Sequence, residues 1–370
     1  MSELIMVALS GGVDSSVTAW LLKQQGHELA GMFMKNWEED DAETGCTAEE
    51  DAADARQVAE LLGIPFHGRN FSTEYWEGVF EHFLAELRAG RTPNPDILCN
   101  REIKFKAFVE HAADLGATSI ATGHYARRRD NADGSVSLLK GLDPGKDQSY
   151  FLHALTQEQL KLARFPLGEL EKSEVRRLAS EARLPVATKK DSTGICFIGE
   201  RNFDAFIDRF LRAEAGEILS DEGKPIGRHR GLMHYTLGQR RGLDIGGLKD
   251  YPESPWYVAH KDLVNNRLIA VQDSQHPMLM SRQLEAQSMN WIRGTPPAPG
   301  QRVGAKVRYR QADQAATVVT TSEDRLSLRF DAPQRAVTPG QSVVLYDGDE
   351  CLGGGVIESS DAWRPDWIET

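Results

Sequence analysis

The chain has 370 residues, of which 26% are charged and 40% belong to the apolar class. This composition is typical of a globular protein of two or three domains and excludes collagen-like, mucin-like and wholly disordered chains. No two cysteines form a CxxC pair, which argues against a disulfide scaffold and a structural zinc site; they are Cys46, Cys99, Cys196 and Cys351. The sequence has no run of about 18 apolar residues and no signal-peptide pattern, so we expect a cytoplasmic protein.

The net charge of −12 argues, as an average over the chain, against a nucleic-acid partner. The charges are nevertheless segregated by sign. Residues 38–51 carry eight acids and no base, whereas residues 301–312 carry four bases and no acid. Because salt screens exposed charges beyond about 8–10 Å, the local pattern matters more than the total. The sequence is therefore compatible with a polyanionic partner.

The first half of the chain alternates predicted strands and helices. Short apolar runs predict the strands, and apolar residues at helical spacing predict helices that end at Gly26 and Gly63. The predicted strands cover 4–9, 29–34, 64–71 and 119–122, the predicted helices cover 13–25, 48–62, 75–89 and 105–115, and a Pro-rich loop is predicted over 91–100. This alternation indicates an α/β fold with a parallel sheet, in which ligands bind at the carboxyl ends of the strands.

The pattern changes at about residue 202. Residues 216–275 are rich in Gly and Arg and contain short predicted strands over 256–260 and 267–271. From residue 281 onward, alternating runs separated by turn residues predict a small antiparallel β-barrel, with strands over 305–309, 316–320, 326–330 and 342–346. We therefore expect three domains, over 1–201, 202–280 and 281–370.

The stretch SGGVDSS at 10–16 lies between the first predicted strand and helix. Its two glycines allow a close approach of the backbone to an anion, and its hydroxyls and free helix amides can donate hydrogen bonds to phosphate. Asp14 is unusual beside a phosphate unless a cation intervenes, so it suggests Mg²⁺. The stretch has no P-loop lysine, and the GxGxxG pattern of dinucleotide-binding folds is missing. The simpler alternative is a Gly-Gly turn capped by Ser and Asp.

Two cysteines lie beside basic residues that favour the thiolate form. Cys99 belongs to PNPDILCN and precedes Arg101, Lys104 and Lys106, and Cys196 belongs to DSTGICFI and follows Lys189 and Lys190. A lone cysteine is more often a small core residue, but two in polar loops beside cations are candidates for reactive thiols. Cys351 in a predicted strand and Cys46 in the acidic run carry little weight.

The SGGVDSS stretch resembles the pyrophosphate loop of the ATP-pyrophosphatase (PP-loop) superfamily. The chain resembles the bacterial tRNA-specific 2-thiouridylase family over essentially its whole length. The stretches that carry this resemblance, besides SGGVDSS, are MKNW at 34–37, TPNPDILCN, TGHY at 122–125, KDQSYF at 146–151, DSTGICFIG and HYTLGQR at 234–240. The resemblance implies an α/β fold with an N-terminal Rossmann-like, adenine nucleotide alpha hydrolase-like PP-loop domain. It also implies a small central tRNA-binding domain and a C-terminal antiparallel β-barrel.

The resemblance further implies a reaction. ATP, with its Mg²⁺, adenylates O2 of the wobble uridine in the tRNAs for lysine, glutamate and glutamine. Cys196 carries a persulfide from a sulfur-relay protein, and Cys99 frees the terminal sulfur, which leaves a transient Cys99–Cys196 disulfide. Asp96 is a candidate for proton transfer. We expect a monomer that binds one tRNA, and a segment around Cys196 that orders when tRNA binds.

The same resemblance assigns binding residues. The predicted ATP-binding residues are Ala8, Leu9, Ser10, Gly11, Gly12, Val13, Asp14, Ser15, Met34 and Gly123. The predicted tRNA-binding residues are Asn94, Pro95, Asp96, His124, Lys146, Asp147, Gln148, Arg308, Tyr309 and Gln341.

The basic run at 301–310 adds a prediction from the residues alone. Alternation along a strand would place its cations on one face of a sheet; they are Arg302, Lys306, Arg308 and Arg310. We therefore expect an Arg308→Ala change to weaken tRNA binding and to flatten its salt dependence. Two alternatives to the thiolase stay open: another adenylating PP-loop ligase that uses an amine, and a module that binds ATP and RNA without turnover.

Overall fold

The structure is a computed structural model that describes residues 3–38, 47–191 and 203–368. Cys46, Cys196 and the DSTGICFIG stretch after its first residue lie outside the described residues, as does the predicted ordering of the Cys196 segment. The described strands, β1 to β17 in chain order, are Leu4–Ala8, Glu28–Lys35, Phe66–Asn70, Ser119–Ala121, Ala126–Asp130, Val136–Lys140, Ala163–Arg164, Gly216–Leu219, Pro225–His229, Trp256–Asp262, Arg267–Gln272, Met280–Trp291, Arg302–Lys306, Gln314–Thr321, Arg325–Arg335, Ser342–Asp347 and Glu350–Ser360.

The helices follow the same order and are continuous over 72–88 and 95–114, each with a π-helical stretch inside. The described helices, α1 to α8, are Val13–Gln24, Thr47–Leu62, 72–88, 95–114, Ser149–Leu152, Gln157–Leu162, Lys172–Glu181 and Phe203–Ile207. In the described part of the chain, no helix has the length and apolar character that a membrane span requires.

A five-stranded parallel sheet forms the N-terminal unit, in the order β3-β2-β1-β4-β7. Its central strand β1 reads LIMVA and is buried along most of its length, as expected for a parallel strand covered on both faces. Helices α1, α2 and α7 pack on one face, and α3 and α4 pack on the other. The predicted α/β fold, with a Rossmann-like parallel sheet, is confirmed.

Helix α4 begins ten residues earlier than the sequence predicted. The side-chain oxygen of Asn94 accepts a hydrogen bond from the backbone N–H of Asp96 (3.2 Å), and Pro95 occupies the first helical position. Both features favour a helix start. The Asn94 side chain caps a free amide of the first turn, and Pro95 has no N–H at a position where an N–H would have no partner within the helix. The predicted loop over 91–100 is therefore wrong after Asn94, and Cys99 lies in a helix.

The last six strands close a barrel in the order β12-β15-β14-β13-β16-β17, and β17 pairs back with β12. This confirms the predicted C-terminal antiparallel barrel. Strand β13, however, ends at Lys306, and Arg308 and Arg310 lie in the turn that follows. The prediction that the four cations of 301–310 share one sheet face is therefore wrong, because the strand is too short.

The hairpin β5–β6 extends the barrel sheet, although it belongs to the N-terminal half of the sequence. Strand β6 pairs with β17 through Leu138 and Leu139, which lie opposite Cys351 and Glu350. The backbone N–H of Lys140 also donates to the carbonyl of Asp349 (2.9 Å). The parallel-sheet unit and the barrel are thus joined by backbone hydrogen bonds.

A four-stranded sheet in the order β10-β11-β8-β9 forms the central unit. Its contacts reach both neighbours. Lys261 donates to the carbonyl of Gly90 just after α3 (3.0 Å), and the Thr92 and Thr236 hydroxyls lie 3.0 Å apart. On the other side, the guanidinium of Arg335 in the barrel donates to the carbonyl of Gly238 (3.1 Å).

Candidate active site

The SGGVDSS loop connects β1 to α1 and is held by its own hydroxyls. The Ser15 hydroxyl accepts from the backbone N–H of Ser10 (3.1 Å) and donates to the carbonyl of Gly12 (3.1 Å). Gly11 has a φ of +74°, and a Cβ added there would lie 2.2 Å from the carbonyl oxygen of Asp51. Gly12 precedes the helix without a side-chain cap on the first turn. The amides of that turn are therefore available to an anion.

The predicted ATP-binding residues meet at the carboxyl edge of the sheet. Ala8 ends β1, Met34 lies near the end of the neighbouring strand β2, and Gly123 follows the end of β4 on the other side. A Cβ on Gly123 would lie 2.9 Å from the backbone nitrogen of Ser15. The structure therefore brings together the loop, Met34 and Gly123 where ligands bind in such sheets.

Asp14 is held by residues far away in sequence. Lys172, the first residue of α7, donates to both of its carboxylate oxygens (2.7 and 2.9 Å), and the hydroxyl of Tyr125 donates to Oδ1 (2.8 Å). The cation beside Asp14 is thus a lysine of the chain itself. In the described residues, no three acidic, histidine or cysteine side chains converge as a metal site. The Mg²⁺ that Asp14 suggested stays a prediction.

Lys172 also pairs with Asp191 (2.7 Å), which accepts from Lys146 (2.7 Å) and Arg176 as well. Burial would raise the pKa of Asp191, but hydrogen bonds and charges from Lys146 and Lys172 outweigh it and lower that pKa to about 2. The carboxylate is therefore ionised at neutral pH. A network of alternating charges runs from the loop through Lys172 and Asp191 to Lys146, a predicted tRNA-binding residue.

Cys99 lies in the second turn of α4 and is fully buried. Its surroundings are the apolar cluster beneath the parallel sheet, which includes Ile97, Ile103 and Phe105 of the same helix. The sequence placed Cys99 in a polar loop, and that placement is wrong. Arg101 and Lys106 of the basic run are both paired with Glu102 (2.7 and 3.0 Å).

Several predicted tRNA-binding residues lie at or near the N-terminal part of α4. The amide of Asn100 donates to the carbonyl of Phe151 (3.1 Å), and the Phe151 ring lies 4.4 Å from the ring of Tyr309. The amide of Gln341 donates to the carbonyl of Thr92, two residues before Asn94 (2.7 Å). The structure therefore brings residues from the N-terminal unit and the barrel to one place beside the Cys99 helix.

Three of those residues are engaged inside the protein. His124 is 9% exposed, and burial, with Lys104 nearby, holds its pKa well below the ordinary range, so its ring is neutral. Asp147 is 5% exposed and accepts from the backbone of Gly141 and Ser149 (both 3.0 Å). Arg308 donates to the carbonyls of Leu237 (3.3 Å) and Ala336 (3.0 Å). Their contacts with tRNA stay predictions.

Lys172 and Tyr125, the two partners of Asp14, were not assigned from the sequence. Tyr125 belongs to the TGHY stretch, so its neighbourhood was indicated, whereas Lys172 is 158 residues from Asp14 and belongs to no motif. A surface helix that begins KSEVRR gives no sign of a contact with the first loop of the chain.

Three family models match the chain in consecutive segments. Residues 3–200 match a tRNA methyl transferase HUP domain, residues 204–272 a tRNA methyl transferase PRC-barrel domain, and residues 281–357 an aminomethyltransferase beta-barrel domain. Among solved structures, a 4-thiouridine synthetase in complex with RNA and bound ATP is 18% identical, with a TM-score of 0.34 over 54% of this chain and 46% of that one. That likeness is too remote to support an argument.

Curated relatives match the chain almost from end to end. The tRNA-specific 2-thiouridylase MnmA of Pseudomonas aeruginosa (strain UCBPP-PA14) is 60% identical over 361 residues, which cover 98% of this chain and 96% of the relative. The protein of the same name from Francisella philomiragia is 59% identical over 353 residues, which cover 95% and 98%. The chain therefore belongs to the tRNA-specific 2-thiouridylase family.

Proposed function

We propose that the chain is a tRNA-uridine 2-sulfurtransferase, which uses ATP to replace O2 of the wobble uridine with sulfur in the tRNAs for lysine, glutamate and glutamine. The observation that carries the proposal is the 60% identity, over almost the full length, to relatives named tRNA-specific 2-thiouridylase. The geometry supports it, since a phosphate-binding type of loop and a cysteine-bearing helix lie in one unit with basic and aromatic residues beside them.

The first step activates the base. In the proposal, O2 of the uridine attacks the α-phosphorus of ATP and pyrophosphate leaves. The residues assigned to ATP are the loop from Ala8 to Ser15, with Met34 and Gly123. Preorganised amides at the start of α1 would stabilise the charge that develops on the phosphates, and they need no rearrangement at the moment of reaction. In the proposal, Mg²⁺ comes with ATP and is bound through its phosphates.

The second step transfers sulfur. A persulfide on Cys196 is the donor, the Cys99 thiolate attacks its inner sulfur, and hydrosulfide leaves as the Cys99–Cys196 disulfide forms. The hydrosulfide attacks C2 of the adenylated uridine, and AMP leaves with the former O2. A thiol reductant must then restore both cysteines. Asp96, one helical turn before Cys99, is the proposed proton acceptor in this step.

Cys99 is fully buried, so the apolar cluster around it must open for sulfur to reach it. The proposed trigger is tRNA, whose target base must leave its stack to expose C2. Asn94, Pro95 and Asp96 are the proposed contacts of that base. The same proposal includes a carrier protein that delivers the persulfide, a monomeric enzyme and a cytoplasmic location. It also includes three domains, over 1–201, 202–280 and 281–370.

Nucleoside mass spectrometry tests the proposal directly. Unmodified glutamate tRNA is incubated with Mg-ATP, a persulfide donor and either the wild type, Cys99→Ser or Cys196→Ser. A mass gain of sulfur for oxygen on uridine with the wild type alone is the expected result. If the tRNA is adenylated but gains no sulfur, the chain is another adenylating ligase. If neither product forms, the chain is a module that binds ATP and RNA without turnover.

A further inference from the structure

The SGGVDSS loop contains an acid where other phosphate-binding loops carry a lysine. Asp14 lies in the first turn of α1, at the end of the helix where anions bind. An unpaired carboxylate there would repel a triphosphate, because like charges a few ångströms apart in a partly buried site are only weakly screened. Nucleotide binding at this loop therefore needs a group that neutralises Asp14.

Lys172 meets that need. Its ammonium lies 2.7 Å from one oxygen of Asp14 and 2.9 Å from the other, and its side chain is only 14% exposed. A partly buried pair with two short hydrogen bonds is much less screened than a surface ion pair. Among the described residues, Lys172 is the cation that an ion pair joins to this loop.

The position of Lys172 is itself fixed. Its backbone N–H donates to the carboxylate of Asp143 (3.0 Å), and its ammonium is shared with Asp191 (2.7 Å). Asp191 is in turn held by Lys146 and Arg176. A long flexible side chain so restrained on both sides loses little further freedom when a ligand arrives, which is how a positioning residue lowers the cost of binding.

We propose that Lys172 is a positioning residue for the nucleotide: it holds the Asp14 carboxylate to one side of the loop and cancels its charge, so that the amides of α1 face the triphosphate. The inference rests on the proposed function only in taking ATP as the ligand. It assigns a part of the ATP site to helix α7, which lies far from the SGGVDSS stretch in the sequence.

A double-mutant cycle read by isothermal titration calorimetry with Mg-ATP tests the proposal. Lys172→Met is expected to raise the Kd for ATP at least tenfold, and Lys172→Arg to recover most of the loss. In an Asp14→Asn background, where no charge needs neutralising, Lys172→Met should change the Kd less than threefold. The matched control is Lys23→Met, which removes an exposed lysine from the last turn of the same helix and should bind ATP like the wild type.

Two results would overturn the inference. One is an unchanged Kd in Lys172→Met, and the other is an equal loss with and without the Asp14 carboxylate, which would mean that Lys172 does not act through Asp14. If the methionine variant does not fold, Lys172→Gln in the same two backgrounds replaces it. A wild type that binds ATP but thiolates no tRNA would overturn the proposed function and leave this inference standing.

Discussion

The rings of Phe151 and Tyr309 lie 4.4 Å apart, and this contact joins α5 of the N-terminal unit to the turn after β13 of the barrel. Phe151 also accepts a hydrogen bond from Asn100, the neighbour of Cys99. The barrel therefore presents an aromatic ring and the adjacent Arg308 next to the helix that carries the candidate nucleophile. A nucleic acid that reaches this helix would meet both units at once.

Arg308→Ala is expected to weaken tRNA binding and to reduce the slope of log K against log salt by about one, because one phosphate contact is lost. The matched control is Arg302→Ala. That arginine lies on β13 but is exposed and pairs with Asp331, so its removal should leave the slope unchanged. Filter binding from 50 to 300 mM salt measures both. Equal slopes for Arg308→Ala and the wild type would mean that Arg308 does not contact a phosphate and only binds the carbonyls of Leu237 and Ala336.

Gly123→Ala is expected to raise the Kd for ATP about tenfold or more. The added methyl group would lie 2.9 Å from the backbone of Asp14 and Ser15, so the start of α1 must shift away from β4. Gly68→Ala in β3 is the control, since a Cβ there meets nothing within 4 Å. Calorimetric titration of both variants with ATP distinguishes a displaced loop from a general effect of alanine. Wild-type affinity in Gly123→Ala would contradict the assigned position of ATP.

Cys351 and Cys99 are both fully buried, but we expect them to differ in function. Burial raises the pKa of the Cys351 thiol to about 12, so it stays protonated and unreactive at neutral pH. Cys351→Ser should retain thiolation while losing about 1–2 kcal/mol of stability, because a hydroxyl is placed in an apolar site. Cys99→Ser should lose thiolation entirely. Thiolation assays and urea unfolding of the two variants provide the comparison, and loss of thiolation in Cys351→Ser would refute this division.

The buried His153 makes the protein sensitive to mild acid. Burial lowers its pKa to about 4, well below the value of about 6.5 of a free histidine. Because the unfolded chain binds the proton first, the stability from neutral His153 is complete above about pH 6.5 and is lost as the pH falls towards 4. Urea unfolding between pH 7.5 and 4.5 should therefore show a shallower fall for His153→Gln than for the wild type, by about 2 kcal/mol over that range. Parallel curves would contradict the assignment.

The sequence predicted those parts of the fold that depend on local pattern. The buried run of β1, the helix that ends before Gly26 and three barrel strands, β14 to β16, lie where apolar spacing placed them, whereas β12 and β17 were not predicted. The start of α4 was missed because the segment with Pro93 and Pro95 was interpreted as a loop. Asn94 followed by Pro95 is also a typical start of a helix. The end of β13 was missed because alternation alone does not fix where a strand turns.

The candidate site was predictable to a similar extent. Residues within one motif, such as Ser10 to Ser15, could be assigned together because the motif is local. Lys172 could not, since its role depends on how α7 packs against α1, a contact that spans 158 residues. The burial of Cys99 was also invisible, because a basic neighbourhood in sequence says nothing about which way a helix faces.

The backbone pairing of β6 with β17 has a consequence for exchange of parts between relatives. A barrel transplanted at residue 281 would leave behind the hairpin whose β6 pairs with Glu350 and Cys351 of β17, and both pieces would lose these backbone pairings. A chimera that keeps both halves in register must carry residues 126–140 together with the barrel, although they are encoded some 140 residues upstream. The segments that must be exchanged together are therefore not contiguous in the sequence.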